Sequence, residues 1–254
     1  MGNDHRFAVL IDADNISDKY IKFIFDEISN EGIATYKRIY GDFTKSAMTA
    51  WKSVLLEYSI TPIQQYGYTT GKNATDSAMI IDAMDILYSG NVEGFCLVTS
   101  DSDFTRLASR LRESGMDVVG MGERKTPKPF IVACNKFKYL DILAKQPEET
   151  KNKEEDMKER LIKAKAEQVK KKEKTVIPLP NGFEEGEEEE YKPEMTPFET
   201  IEQAVLTIIR ESTEEEDWVF IGDIGNMLLK RYPDFDVRNF GFKKLTPFIR
   251  SMEC

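Results

Sequence analysis

Acidic side chains follow two apolar segments of this sequence, and both segments have the pattern of a buried strand. Asp101 and Asp103 come after the run Phe95–Val98, and Asp12 follows the run Phe7–Ile11. Short apolar runs that lead into a helical pattern are typical of central strands in an α/β fold. The carboxyl ends of such strands carry the functional groups. We therefore expect these three carboxylates to meet at one edge of a sheet.

A fourth carboxylate, Asp76, is expected in the first turn of a helix, where the helix dipole favours a negative charge. Carboxylates that lie close together repel one another unless a cation neutralises them. Hard divalent cations prefer oxygen ligands. The pattern predicts a site for Mg²⁺ or Mn²⁺ formed by acids from separate strand and helix ends. The expected ligands are Asp12, Asp76, Asp101 and Asp103.

Three polar residues near these acids are expected to assist the site. The amide oxygen of Asn15 is a further candidate ligand, Lys72 is placed to bind phosphate or orient an acid, and Ser100 is expected to contact substrate. Lys72 and each of the four acids also have a plainer interpretation. An exposed lysine is common on any surface, and an aspartate at a strand end often only caps the next helix.

Histidine and cysteine chemistry is disfavoured. The single histidine is His5, close to the N-terminus, so a Ser-His or Cys-His mechanism has no base to use. Cys96, Cys134 and Cys254 are widely separated and lack the spacing of zinc ligands. Three widely separated cysteines favour a protein of a reducing compartment, without a disulfide framework.

Strand and helix patterns alternate through residues 1–145, which predicts a three-layer α/β/α domain with a mainly parallel central sheet. Asp82 and Asp85 are expected on the solvated side of the helix that begins near Asp76. Further strands are expected at residues 33–40, 60–68 and 116–121, and further helices at 18–29, 45–57 and 102–113. A short helix and an edge strand are expected within 130–143.

Residues 146–194 have the composition of a linker, and residues 195–254 that of a second, small domain. The linker is rich in Glu and Lys and is expected to be a solvated helix or disordered. The last segment predicts helices at 197–210, 222–231 and 238–252, with Trp218 and Phe240 as anchors of a winged-helix-like module.

The charge and hydropathy of the chain bear on whether it binds nucleic acid and whether it spans a membrane. The chain has 35 basic and 45 acidic residues, so its net charge of −10 weakens non-specific binding to nucleic acid without excluding it. No apolar run is long enough to span a membrane, and we expect a cytoplasmic protein. A local basic stretch is formed by Arg124, Lys125, Lys128, Lys136 and Lys138.

Three ordered motifs in residues 6–143 resemble those of NYN domains, a branch of the PIN-like nucleases. The motifs are residues 12–15 (DADN), 72–76 (KNATD) and 98–104 (VTSDSDF). The resemblance implies a PIN-like fold and a metal-dependent ribonuclease that uses Mg²⁺ or Mn²⁺. Its acidic metal-binding residues would be Asp12, Asp76, Asp101 and Asp103, with Asn15 assisting.

The C-terminal segment resembles the LOTUS or OST-HTH domain, through Trp218-Val219, Ile224-Gly225, Pro233-Asp234-Phe235 and residues 240–245. The resemblance implies binding of RNA or of a protein adaptor. The family usually continues into a strand hairpin beyond the position of Cys254, so we expect an incomplete module or a sequence that is a fragment.

Two alternatives to a ribonuclease remain open. An adaptor without catalytic activity would have the same composition and could bind RNA or protein. A phosphatase of the haloacid dehalogenase type is the second, because Asp12-Ala13-Asp14 after an apolar strand mimics its nucleophile and acid. That mechanism also needs a lysine before a later acidic motif, and no lysine stands just before Asp101.

Overall fold

The computed structural model describes residues 5–66, 74–145, 195–213 and 219–252. Six strands form a parallel sheet in the first part of the chain: β1 (Arg6–Asp12), β2 (Ile33–Gly41), β3 (Thr61–Gln64), β4 (Gly94–Val98), β5 (Asp117–Gly122) and β6 (Lys136–Tyr139). Their order in the sheet is β3-β2-β1-β4-β5-β6. The chain therefore builds outward from β1 and then returns to place β4 beside it. This creates a crevice between the carboxyl ends of β1 and β4.

Helices cover both faces of the sheet, as the sequence predicted. They are α1 (Ile21–Glu31), α2 (Thr49–Glu57), α3 (Ala74–Ser89), α4 (Thr105–Glu113), α5 (Lys128–Ala133) and α6, described over 140–145. No helix among the described residues is long and apolar enough to cross a membrane.

The core follows from the alternation of side chains along the central strands. Leu10 and Leu97 pack with Met79 and Ala83 of α3 and with Leu107 of α4 in one buried cluster. Neighbouring residues in a strand point to the opposite face, and there Val9, Ile11 and Cys96 are also fully buried. A sheet that is buried on both faces is typical of parallel strands.

The expected elements differ from the structure mainly at their ends. The strand expected over 60–68 spans only Thr61–Gln64, and residues 67–73, including Lys72, lie outside the described residues. Three expected helices begin with a 3-10 turn, at Asp18–Tyr20, Ser46–Met48 and Ser102–Phe104.

The C-terminal module, residues 195–213 and 219–252, is helical in its described part. Its helices are α7 (Phe198–Thr213), α8 (Ile221–Arg231) and α9 (Leu245–Arg250). The single helix expected over 238–252 is wrong. A 3-10 turn, Val237–Phe240, ends at Gly241, whose φ of 81° is left-handed, and the chain is extended at Lys244 before α9 begins. Trp218 lies outside the described residues.

An aromatic cluster forms the core of the module. The rings of Phe198, Phe240 and Phe242 each lie 5.2–5.8 Å from that of Phe248, between centroids. Phe248 is fully buried, together with Val205 of α7. Phe240 is therefore one of the anchors that the sequence predicted, and Phe248 is the central one.

The described parts of residues 1–143 and 193–254 form one compact unit. The backbone N–H of Phe137 in β6 donates to the carbonyl of Pro233 at 2.7 Å. The hydroxyl of Tyr139 donates to Asp234, and Lys138 forms an ion pair of 2.7 Å with Asp236. The C-terminal module thus covers the exposed edge of β6, an edge that would otherwise present unpaired backbone groups.

Arg238 joins the module to α1. Its guanidinium donates two hydrogen bonds to Glu27, at 2.5 and 2.7 Å, and also bonds to Asp236. Burial acts to raise the pKa of Asp236, but the hydrogen bonds from Arg238 and the charge of Lys138 hold this pKa well below its usual range. The contact between the two parts of the chain is therefore polar, charged and only partly exposed.

Candidate metal centre

Asp12 is the last residue of β1 and its side chain is completely buried. Its Oδ2 accepts hydrogen bonds from Asn15 Nδ2 at 2.7 Å and from Thr99 Oγ1 at 2.8 Å, and its Oδ1 accepts from the N–H of Asp14 at 3.1 Å. Burial is the main cause that raises the pKa of Asp12, and these three bonds oppose it. Asp12 is thus held in one orientation at the crevice beside β4.

Asp101 and Asp103 follow β4 and are fixed by the 3-10 turn that begins there. The Oδ1 of Asp101 accepts the N–H of Asp103 at 2.9 Å, so Asp101 caps this turn. Its own N–H donates to Thr99 Oγ1 at 3.1 Å. An aspartate at the end of a strand often only caps the next helical turn, and Asp101 does cap this one. The cap uses one of its two carboxylate oxygens.

Asp76 comes to the same place from the first turn of α3. Met79 and Ala83 bury one side of that helix in the core. Asp82 also holds the helix to the sheet, because Arg38 and Tyr40 of β2 both donate hydrogen bonds to it. The expectation that Asp82 is solvated was therefore wrong.

The carboxylates of Asp76, Asp101 and Asp103 each offer an oxygen within 4.8 Å of the others. Asp76 and Asp101 are half-buried and Asp103 is exposed. Such a set of hard oxygen donors fits a divalent cation that keeps part of its water shell, such as Mg²⁺ or Mn²⁺. Three of the four expected ligands thus form one cluster, and Asp12 lies behind it.

The negative charge of this cluster affects the pKa of Asp76. Burial, followed by the charges of Asp12, Asp101 and Asp103, raises this pKa from 3.8 to about 6. Among the residues that the structure describes, the charges that act most strongly on Asp76 all belong to other carboxylates. A bound divalent ion would relieve the repulsion.

Of the three residues that were expected to assist the site, the structure describes Asn15 and Ser100. Asn15 lies beside the site, where its Nδ2 donates to Asp12, so its amide oxygen is the group left for a ligand. Ser100 is buried, and its Oγ accepts the N–H of Glu123 at 2.9 Å, which connects the ends of β4 and β5. Lys72 is outside the described residues.

Thr99 has a role at the site that its place in the sequence did not predict. It is completely buried, and its hydroxyl both donates to Asp12 and accepts from the N–H of Asp101. Gly122 leaves room for this arrangement, because a Cβ there would lie 2.6 Å from the carbonyl oxygen of Thr99 and 2.5 Å from Thr126 Oγ1. A hydroxyl residue between an apolar strand and an acid was the available signal.

Residues 6–141 match the family model of the NYN domain, which covers more than half of the chain. The chain belongs to the NYN domain family. Residues 197–253 match the OST-HTH/LOTUS domain. Both resemblances in the sequence are thereby confirmed, and the C-terminal module is called the LOTUS module below.

Comparison with solved structures finds a crystal structure of a protein of unknown function from Vibrio parahaemolyticus. It is 18% identical in sequence, with a TM-score of 0.47, and the match covers 55% of this chain and 94% of that one. No curated protein matches the sequence.

Proposed function

We propose that this protein is a ribonuclease that hydrolyses RNA phosphodiester bonds at the acidic cluster with the help of Mg²⁺ or Mn²⁺. The observation that carries the proposal is the convergence of three carboxylates at the crevice between β1 and β4. Membership of the NYN family, a branch of the PIN-like nucleases, supports hydrolysis of a nucleic acid.

The ion would be held by Asp76, Asp101 and Asp103, with Asp12 behind them. A bound divalent ion supplies charge stabilisation at a phosphate and lowers the pKa of a bound water. Asn15 and Thr99 hold the carboxylate of Asp12 in one orientation next to the ligands. Asp103, the most exposed of the three, is best placed to meet substrate or to accept a proton from the attacking water.

The LOTUS module would bind RNA or a protein adaptor, and its match to the OST-HTH/LOTUS family supports this role. The phosphatase alternative gains no support from the family assignment. An adaptor without catalytic activity is the outcome to be tested against the enzyme.

The test is cleavage of single-stranded and structured RNA by the purified chain with Mn²⁺, Mg²⁺ or EDTA, beside the variant Asp101→Asn. We expect cleavage that needs the metal and that falls by at least about 100-fold in the variant, since an essential charge is lost. Asp85→Asn, an exposed change on α3, is the matched control and should cleave normally. Cleavage retained in Asp101→Asn would refute the site. RNA binding without cleavage by the unaltered chain would favour the adaptor.

A further inference from the structure

A groove of about 720 Å³ lies between the NYN domain and the LOTUS module. One wall comes from α4 and the start of β6, and the other from α8. Four basic side chains line it, two from each side: Arg112 and Lys136, and Lys230 and Arg231. Their only acidic neighbour among the lining residues is Asp117. The groove exists because the module is docked on β6.

The basic side chains keep a positive excess in an otherwise acidic protein. The guanidinium of Arg112 donates to the carbonyls of Val132 and Ala133, at 3.0 and 3.1 Å, which are neutral groups. Lys230 is exposed. A positive groove on a chain of net charge −10 is a place where an anion is favoured.

The other two basic residues form ion pairs that a ligand can replace. Arg231 bonds to Glu211 at 3.0 Å, and both side chains are well exposed, so water screens this pair strongly. Lys136 bonds to Glu31 at 2.5 Å. When Asp117, Glu31 and Glu211 are all counted, the four basic residues still leave an excess of positive charge.

The lining also indicates which part of a polyanion would be bound. It contains no aromatic side chain, so bases cannot stack there as they do on single-strand binding platforms. Asn135 and Asn226, one on each wall, add amide donors of the kind that bind phosphate and sugar oxygens. The groove therefore suits a phosphate backbone without selecting a base sequence.

The groove and the acidic cluster lie toward opposite ends of the strands. Asp117 and Lys136 begin β5 and β6, whereas the acidic cluster follows the carboxyl ends of β1 and β4. A parallel strand of six residues, the length of β5, extends for about 20 Å. An RNA that occupies both places must therefore be several nucleotides long.

We propose that this groove binds the phosphate backbone of single-stranded RNA, several nucleotides away from the bond that is cleaved. The inference rests on the proposed ribonuclease function and adds to it a site shared by the two domains. Binding there is sequence-tolerant and strongly dependent on salt, because phosphate contacts dominate it. Long RNAs gain affinity from the groove, and very short ones do not.

The test measures binding of fluorescently labelled RNA to the full chain in EDTA, where no cleavage can occur. Oligonucleotides of about 16 and about 4 residues bracket the site sizes usual for single strands. Lys230→Gln removes one exposed charge from the groove. Lys52→Gln removes an exposed charge from α2, which follows β2 and precedes β3 at the opposite edge of the sheet.

We expect Lys230→Gln to weaken binding of the longer RNA by about threefold to tenfold and to lower the slope of log affinity against log salt by about 0.7. The short RNA and the Lys52→Gln variant should be unaffected. In cleavage assays, KM for the longer RNA should rise in Lys230→Gln while kcat is unchanged. Equal binding and equal KM in the two variants would overturn the proposal.

The two proposals fail in different ways. Weaker RNA binding by Lys230→Gln in a chain that never cleaves would support the groove and refute the ribonuclease. Metal-dependent cleavage with normal binding and KM in Lys230→Gln would refute the groove and leave the ribonuclease standing.

Discussion

Asp76→Asn should stabilise the metal-free protein at neutral pH, although it removes an expected metal ligand. The side chain of Asp76 is half-buried, and this burial, followed by the charges of the neighbouring carboxylates, raises its pKa to about 6. Asparagine has nearly the same shape but no charge. The substitution therefore removes repulsion from the folded protein that the unfolded chain does not experience.

The magnitude follows from the pKa shift. A rise from 3.8 to about 6 corresponds to about 3 kcal/mol at full strength. Since Asp76 is only half-buried, we reduce this to about 1–1.5 kcal/mol for solvent screening. The lost attraction between a carboxylate and the start of α3 subtracts about 0.5 kcal/mol. The repulsion is larger, so a net gain of about 0.5–1 kcal/mol is expected.

The gain should depend on pH with a definite sign. Below about pH 4 Asp76 is protonated in both states, and the charge contributes nothing. Between about pH 4 and pH 6 the folded protein keeps a proton that the unfolded chain has released. The free energy of unfolding of the unaltered protein therefore falls as the pH rises through this window, and that of the variant does so less.

Urea unfolding in EDTA at pH 4.5 and pH 7.5 measures this difference, with Asp85→Asn as the control on the same helix. Adding Mn²⁺ at pH 7.5 should make the unaltered protein more stable than Asp76→Asn. A ligand that binds the folded state stabilises it, and the variant lacks one donor. A variant that is less stable than the parent in EDTA at pH 7.5 would refute the argument that the acids repel one another.

Two further changes test the supports of the site and of the docked module. Thr99→Val keeps the shape of the side chain but removes a hydrogen-bond donor from the buried carboxyl group of Asp12. The free energy of unfolding in urea should therefore fall by about 2 kcal/mol, and Mn²⁺ should bind more weakly. Equal stability of the variant and the parent would contradict this role of Thr99. Arg238→Ala removes the guanidinium that bonds to the partly buried carboxylates of Glu27 and Asp236, and thermal unfolding should show a loss of at least about 2 kcal/mol. Lys22→Ala, which breaks an exposed pair, should cost under about 1 kcal/mol. Equal losses in these two variants would contradict the structural role of Arg238.

The order of elements in the NYN domain could be predicted because its signals are local. The apolar runs before Asp12 and Asp101 are long enough to be buried strands, and the acids that follow them mark the carboxyl ends. The break after the turn Val237–Phe240 was missed, because the left-handed backbone at Gly241 ends a pattern that is otherwise compatible with a helix.

Local patterns in the sequence predicted the fold class, the two families and the three acids that lie together. Periodicity and short motifs act within one strand or helix, so they can be recognised without knowing where the chain goes next. The way in which the acids are held depends on contacts between separate elements: Thr99 after β4 bonds to Asp12 of β1, and Asp82 of α3 pairs with β2. Asp12 and Thr99 are 87 positions apart, and Asp82 and Arg38 are 44 positions apart.

The docked LOTUS module is the clearest case of information that the sequence lacked. Glu27 and Arg238 are separated by 211 positions, and nothing in the local pattern of either predicts their ion pair. The basic groove is likewise assembled from side chains of α4, β6 and α8. Such features depend on which surfaces come together, because ion pairs form between side chains that are close in space, whatever their separation along the chain.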